Sequence, residues 1–201
     1  MKLNIRLTNY AVGIITIVLL ACKPSVEGPI VDPVPPVVVP TVSDTTFIKG
    51  ADISWVTEME SKGIKFYNKN GVQTECFALM KEIGMNAIRI RVWVNPANKW
   101  NGLEDVIAKC LRAKNLGLKL LIDFHYSDNW ADPGKQIKPA AWANASFPVL
   151  KDSLKSHTSF VLTQLKNAGI NPTWVQIGNE TDDGILWPEG KASLNMQTLL
   201  N

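Results

Sequence analysis

Ala87-Ile88-Arg89-Ile90-Arg91-Val92-Trp93 alternates apolar and charged side chains from Ile88 to Val92. In an extended chain, where neighbouring side chains point to opposite faces, Ile88, Ile90 and Val92 share one face and Arg89 and Arg91 the other. The same parity recurs downstream. Asp123 and His125 oppose Ile122 and Phe124, and Gln176, Gly178 and Glu180 alternate with Val175 and Ile177 at the end of what reads as a buried strand. Strand signals cover residues 48–53, 87–93, 118–124 and 173–178, and helical signals cover 72–83, 103–115 and 148–168. Gly84, Gly117 and Gly169 stand just past the three helices, where a left-handed cap is expected. Repeated β-α order implies a parallel sheet with right-handed crossovers, either doubly wound or closed as a barrel. A doubly wound sheet would press the strand charges under helices, and the glycine-rich phosphate loop that favours it is absent. In a barrel the apolar face meets the outer helices, while polar groups converge on the rim that carries active sites. The expected fold class is α/β, a (β/α)8 TIM barrel truncated to about the first four strand-helix units.

The chain has 201 residues and 22.2 kDa, room for one domain of ordinary size or most of a larger one. Its 46% hydrophobic and 19% charged residues can build a core, which excludes a disordered chain. A net charge of +3, from 21 basic and 18 acidic side chains, is too nearly balanced for counterion-release binding, so no nucleic-acid partner is implied. With two histidines, of which His157 lies mid-helix without a pair at ligand spacing, a zinc peptidase fails; no metal or other cofactor is expected. No Gly-x-Ser-x-Gly elbow supports serine hydrolase chemistry. Cys76 and Cys110 fall in helical segments and read as buried free thiols rather than a disulfide or metal framework.

Lys2 and Arg6 precede an uncharged run over 7–21, too short for a membrane helix, that closes with Leu19-Leu20-Ala21-Cys22. The pattern resembles a bacterial lipobox. That resemblance implies a signal peptide over 1–21, cleavage before Cys22 and a lipid on its thiol, which would anchor the protein to a membrane. Six prolines between Lys23 and Thr46 make 22–46 an extended, semi-rigid spacer, leaving 47–201 as the folded part. Lys23 is not the aspartate associated with inner-membrane retention, so an exported lipoprotein at the outer membrane or cell surface is expected.

Trp55, Trp93, Trp100, Trp130, Trp142 and Trp187 all fall at or beyond the C-terminal ends of expected strands, and only Trp174, of the seven tryptophans, lies at a strand start. A rim of flat apolar faces suits stacking against sugar C–H groups. Glu180 ends a strand beside Asn179, a place where surroundings can set a general acid's pKa. Asp123 reads as the buried partner of an arginine.

Four motifs in order carry a wider likeness: Gly50-Ala51-Asp52-Ile53-Ser54, Arg89-Ile90-Arg91-Val92-Trp93-Val94-Asn95-Pro96, Asp123-Phe124-His125-Tyr126-Ser127-Asp128 with Trp130-Ala131-Asp132-Pro133, and Ile177-Gly178-Asn179-Glu180 through Leu186-Trp187-Pro188. Together they resemble glycoside hydrolase family 53, the arabinogalactan endo-β-1,4-galactanases, over residues 47–190. The resemblance implies a retaining, endo-acting hydrolase of β-1,4-galactan, the side chains of pectin. It gives Glu180 the acid/base role and Asn179 the sugar 2-hydroxyl. Arg91 and His125 would orient and tune the acidic groups, while Asp52, Trp93, Asp128, Trp130 and Trp187 would line the cleft. In the family the nucleophilic glutamate comes from the seventh strand, and no residue up to Asn201 matches it, so residues 47–201 read as the N-terminal half of the catalytic domain and are expected to be inactive by themselves. Two alternatives stand beside this: a non-catalytic glycan-binding surface lipoprotein, and a related-clan glycosidase acting on another β-linked polysaccharide.

Overall fold

The computed structural model describes residues 47–199, with side chains up to Asn195. The expected signal peptide over 1–21, Cys22 and the expected spacer over 22–46 lie outside the described residues. In chain order the elements are β1 (Gly50–Asp52), α1 (Val56–Ser61), α2 (Cys76–Glu82), β2 (Ala87–Val92), α3 (Leu103–Asn115), β3 (Lys119–Phe124), a 3-10 turn (Ala140–Trp142), α4 (Phe147–Asn167), β4 (Trp174–Ile177) and α5 (Ala192–Leu199). The four strands form one parallel sheet in the order β1-β2-β3-β4.

Register turns the sequence parity into tiers. Asp52 pairs with Arg89, Arg89 with Leu121 and Leu121 with Trp174; one step up, Arg91 pairs with Asp123 and Asp123 with Gln176. Paired residues of parallel strands share a face, so Asp52, Arg89, Arg91, Asp123 and Gln176 collect on one side of the sheet. On the other side Ile88, Ile90, Val92, Ile122 and Phe124 are fully buried. They pack in one core with Val106, Cys110 and Ala113, which recur at helical spacing on α3, and with Leu150, Val161 and Leu165 of α4. Burying these side chains contributes about 1.5–3 kcal/mol each for the larger ones.

β4 departs from the sequence reading of a buried strand. Val175 and Ile177 are 40% and 55% exposed, because β4 is an edge of the described sheet and no described element covers that face. The second helix begins at Cys76 rather than at 72. The Asn68 side chain accepts hydrogen bonds from the Asn70 and Val72 amides, and Tyr67 bridges Gln73, so 67–73 is spent on a turn. Glu75 then caps the helix by accepting from the Ala78 amide at 2.8 Å. Gly84, Gly117 and Gly169 take φ values of +92°, +69° and +70°, ending α2, α3 and α4 as expected. Among the described residues, no helix is long and apolar enough to cross a membrane.

Candidate active site

Arg89 is the hub of the polar side. Its guanidinium donates to Asp52 Oδ2 at 2.7 Å, to Asn179 Oδ1 at 2.7 Å and to Gln176 Oε1 at 3.3 Å, and it pairs with Asp123 Oδ2 at 2.7 Å. One planar fork thus ties together the ends of all four strands, a task suited to arginine's fixed donor geometry. Asp123 is fully buried, and its Oδ2 also lies 3.0 Å from His125 Nε2. The other ring nitrogen, Nδ1, accepts from the Trp93 indole at 3.4 Å and the Ala131 amide at 3.3 Å. With two donors on Nδ1, this network assigns the imidazole proton to Nε2, on the side of the ring next to Asp123.

Arg91 is 5% exposed and lies against aromatic faces, 4.0 Å from the Trp130 ring centroid and 5.2 Å from that of Trp55. It donates to Asp52 Oδ1 at 3.2 Å, while its Nε and Nη1 have no hydrogen-bond partner among the described residues. Burial lowers the Arg91 pKa, an effect the adjacent Asp52 opposes. Burial raises Asp52, yet hydrogen bonds from Ser54, the charge of Arg91 and a hydrogen bond from Arg89 hold its carboxyl below the ordinary aspartate value. Behind this layer Lys109, fully buried on α3, donates to the Ser54 carbonyl at 2.8 Å and Asn101 Oδ1 at 2.7 Å and pairs with Asp105 at 2.7 Å. Asn101 in turn accepts the Trp93 amide at 2.9 Å, so a helix charge braces two strand ends.

Glu180 follows Gly178 and Asn179 off the end of β4. Gly178 has φ +89°, and a Cβ there would come within 2.5 Å of Thr181 Cγ2, so both conformation and space require glycine. Glu180 itself has φ +48°. A side chain held in that left-handed region costs on the order of 1–3 kcal/mol and persists only where surroundings impose it. Asn179, 6% exposed, is locked at both ends of its amide: Oδ1 accepts from Arg89, and Nδ2 donates to the Ala131 carbonyl at 2.8 Å. The Glu180 carboxylate is exposed and has neither ion pair nor hydrogen bond among the described residues. A cavity of about 490 Å³ brings Glu180 and Asn179 together with Asp52, Arg89, Arg91, Trp55 and Trp130, and continues into an apolar end at Met59, Phe66 and Met80. A free carboxyl, fixed polar groups and aromatic edges in one cleft can bind a polyhydroxylated chain and transfer a proton to it.

The family model for glycosyl hydrolase family 53 matches residues 48–201. The chain belongs to that family. Among relatives, the endo-β-1,4-galactanase of Bacillus subtilis (strain 168) is 42% identical over 146 residues, covering 69% of this chain and 34% of its own length. The arabinogalactan endo-β-1,4-galactanase of Cellvibrio japonicus (strain Ueda107) is 42% identical over 148 residues, covering 73% and 39%. The solved family 53 catalytic domain of Ignisphaera aggregans superposes with a TM-score of 0.71 at 41% identity, over 75% of this chain and 44% of that one. A structure of fungal β-1,4-galactanases gives 0.70 at 43% identity, over 72% and 43%. The chain therefore spans about two fifths of the relatives it matches, and its four β-α units are the corresponding portion of a (β/α) barrel.

Within the family 53 chain, the cleft unites Asp52, Arg91, Trp130, Asn179 and Glu180 from the sequence-derived set. Trp93 and His125 are 8% and 1% exposed and stand behind it, with Trp93 and Trp130 edge-to-face at 6.0 Å. Besides Trp93, which is buried behind the cleft, two residues depart from the cleft-lining expectation. Asp128 is a loop staple: its oxygens accept from the Asn95 amide at 2.9 Å and the Ala140 amide at 2.8 Å. Trp187 does not line this cavity; its indole donates to the Asp183 carbonyl at 2.9 Å, and Lys191 lies over its ring at 4.3 Å. Arg89 and Gln136 belong to the site as well, beyond the residues expected from sequence. Arg89 was visible on the polar face of its strand, whereas Gln136 reaches the site from a loop and left no signal. Among the described residues, no group of three or more metal-ligating side chains is positioned to hold an ion.

Proposed function

We propose that the protein carrying this chain is an endo-acting, retaining glycoside hydrolase of β-1,4-galactan, with Glu180 as general acid/base. The observation that carries the reading is the exposed, unpaired Glu180 carboxyl at the mouth of a cleft whose remaining polar groups are already tied to one another. The names of the related galactanases support the substrate. In this reading the galactan chain lies along the edges of Trp55 and Trp130, Asn179 meets the sugar beside the scissile bond, and Glu180 protonates the departing glycosidic oxygen. It then takes a proton from the water that releases the product. The retaining mechanism pairs such an acid with a nucleophilic carboxylate roughly 5–5.5 Å away. By the family resemblance a seventh-strand glutamate supplies it, beyond the four strands described. A polypeptide of residues 1–201 alone is therefore expected to give no turnover.

The direct test is reducing-sugar release from β-1,4-galactan by the intact protein and by Glu180→Gln. The variant is expected to lose about 10²–10⁴-fold in kcat with its thermal transition preserved. Cleavage of mannan or xylan but not galactan would overturn the substrate. Galactan binding that survives Glu180→Gln, with no hydrolysis by the parent, would make the protein a binding lipoprotein instead. The exported, lipid-anchored placement belongs to the same proposal. It is supported by the lipobox pattern ending at Cys22, and an intact mass of the membrane-extracted protein without a lipid on Cys22 would overturn it.

A further inference from the structure

We propose that Gln136 is the positioning residue that sets the direction of the Glu180 carboxyl, an inference that rests on reading Glu180 as the acid/base. Gln136 comes from the long connection between β3 and α4 and is 2% exposed. Its Nε2 donates to the carbonyls of Asn179 at 2.8 Å and Glu180 at 3.1 Å, with a longer contact to the Asp132 carbonyl at 3.3 Å. Successive carbonyls of an extended chain point in opposite directions, so one amide can hold both only if the residue between them is turned. Glu180, with φ +48°, is that residue.

Were Glu180 to relax to an extended backbone, its carbonyl would leave Gln136 and its Cβ would swing with it. Nothing else among the described residues restrains the carboxylate, which has no ion pair or hydrogen bond of its own. Its aim is therefore set through the main chain, and the main chain is held by Gln136. The same residue fixes the far end of this loop. Its backbone carbonyl accepts the Trp187 amide at 2.8 Å, and Ile137 bridges Trp187 in parallel. Gln136 thus clamps the segment from Asn179 to Trp187 at two points.

The test uses the intact protein, selectively ¹⁵N-labelled at glutamate, as wild type, Gln136→Met and Gln136→Glu. The three-bond HN–Hα coupling of Glu180 reports its φ directly, and kcat and KM on β-1,4-galactan report the chemistry. In Gln136→Met, which keeps the length and removes the donor, the coupling is expected to change. The kcat should fall about 10–100-fold, as for a misplaced reacting group, while KM stays within about twofold. In a Glu180→Gln background the same change should cost nothing further, because both substitutions act through one group. An unchanged coupling in folded Gln136→Met, or an equal fold-loss in the Glu180→Gln background, overturns the proposal.

If Gln136→Met does not fold, Gln136→Glu decides. Ionised, its carboxylate is acceptor-only against two carbonyls; protonated, it donates again. Native coupling that returns as that group is protonated supports the clamp, and coupling that never changes with pH overturns it. If the wild-type protein cleaves no galactan, the proposed function fails, and the coupling measurement, which needs no substrate, still decides the role of Gln136.

Discussion

Replacing Arg89 by Met removes the one group that joins the four strand ends, and its cost can be worked from the geometry. Asp123 is fully buried and, once Arg89 is gone, has only His125 Nε2, 3.0 Å away, left within ion-pair distance. Breaking a buried pair by removing one partner costs about 3–5 kcal/mol, chiefly from the charge left behind. The Arg89 side chain is 29% exposed, so water can reach part of the vacated space, which argues for the lower end, about 3 kcal/mol. For a folded unit of roughly 150–250 residues that corresponds to a fall in Tm of roughly 6–12 °C, and less for a longer one. Urea unfolding followed by tryptophan fluorescence measures it. Adding Asp123→Asn to Arg89→Met removes the stranded charge and should restore about 1.5 kcal/mol or more. Arg89→Lys should recover only part, since a point ammonium cannot reach Asp52, Asp123 and Asn179 together. A loss under about 1 kcal/mol for Arg89→Met, or a double variant as unstable as the sum of the two, would refute the account of Arg89 as the hub that neutralises buried Asp123.

Other outcomes follow from the same layer. Asp52 titrates below its ordinary value of 3.8, so its stabilising contribution is present above that pH and is lost as pH falls through the folded value. Asp52→Asn should therefore be less stable at neutral pH and lose less stability than wild type below pH 3.8 in acid-unfolding curves; parallel curves would contradict this. Burial, with Glu75 and Glu60 nearby, pushes the Cys76 thiol up to about 11, and burial pushes Cys110 up to about 12. Both are free, and peptide mapping after iodoacetamide treatment should find them unmodified in the native protein and alkylated in denaturant. Rapid native alkylation of either would mean that the α2 or α3 face opens.

How much could be read beforehand depended on whether a signal was local. α3 matches its expected span because its apolar stripe and Gly117 lie within one helix, and the strand cores from Ile88 to Val92 and Ile122 to Phe124 follow from alternation alone. The Asp123–arginine pairing was legible because a buried carboxylate needs a cation. α1 is six residues long, too short for a helical period to register. The shortened α2 reflects side-chain-to-backbone bonds from Asn68 that compete with a helix. At the site, residue type suggested a ligand contact for Asp128, but its oxygens face two backbone amides, one from the β2–α3 loop and one farther along its own connection. Gln136 and the hub role of Arg89 depend on strand register and on how a loop returns, which no stretch of sequence contains by itself.

The bridge between Ile137 and Trp187 has a consequence for chain length. Surface connections ordinarily tolerate insertions, because closing a longer loop costs little. Here two connections, one leaving β3 and one leaving β4, are pinned to each other while also carrying Gln136 and Glu180. Residues added between 126 and 136, or between 180 and 187, would be absorbed by displacing the acid, so these two lengths are constrained jointly. The turn at Asn70-Gly71 is under no such obligation: it is exposed and closed by its own Tyr67–Gln73 bridge. A peptide tag or reporter grafted there should leave the cleft as it was, which makes that turn the natural handle for immobilising or labelling the protein.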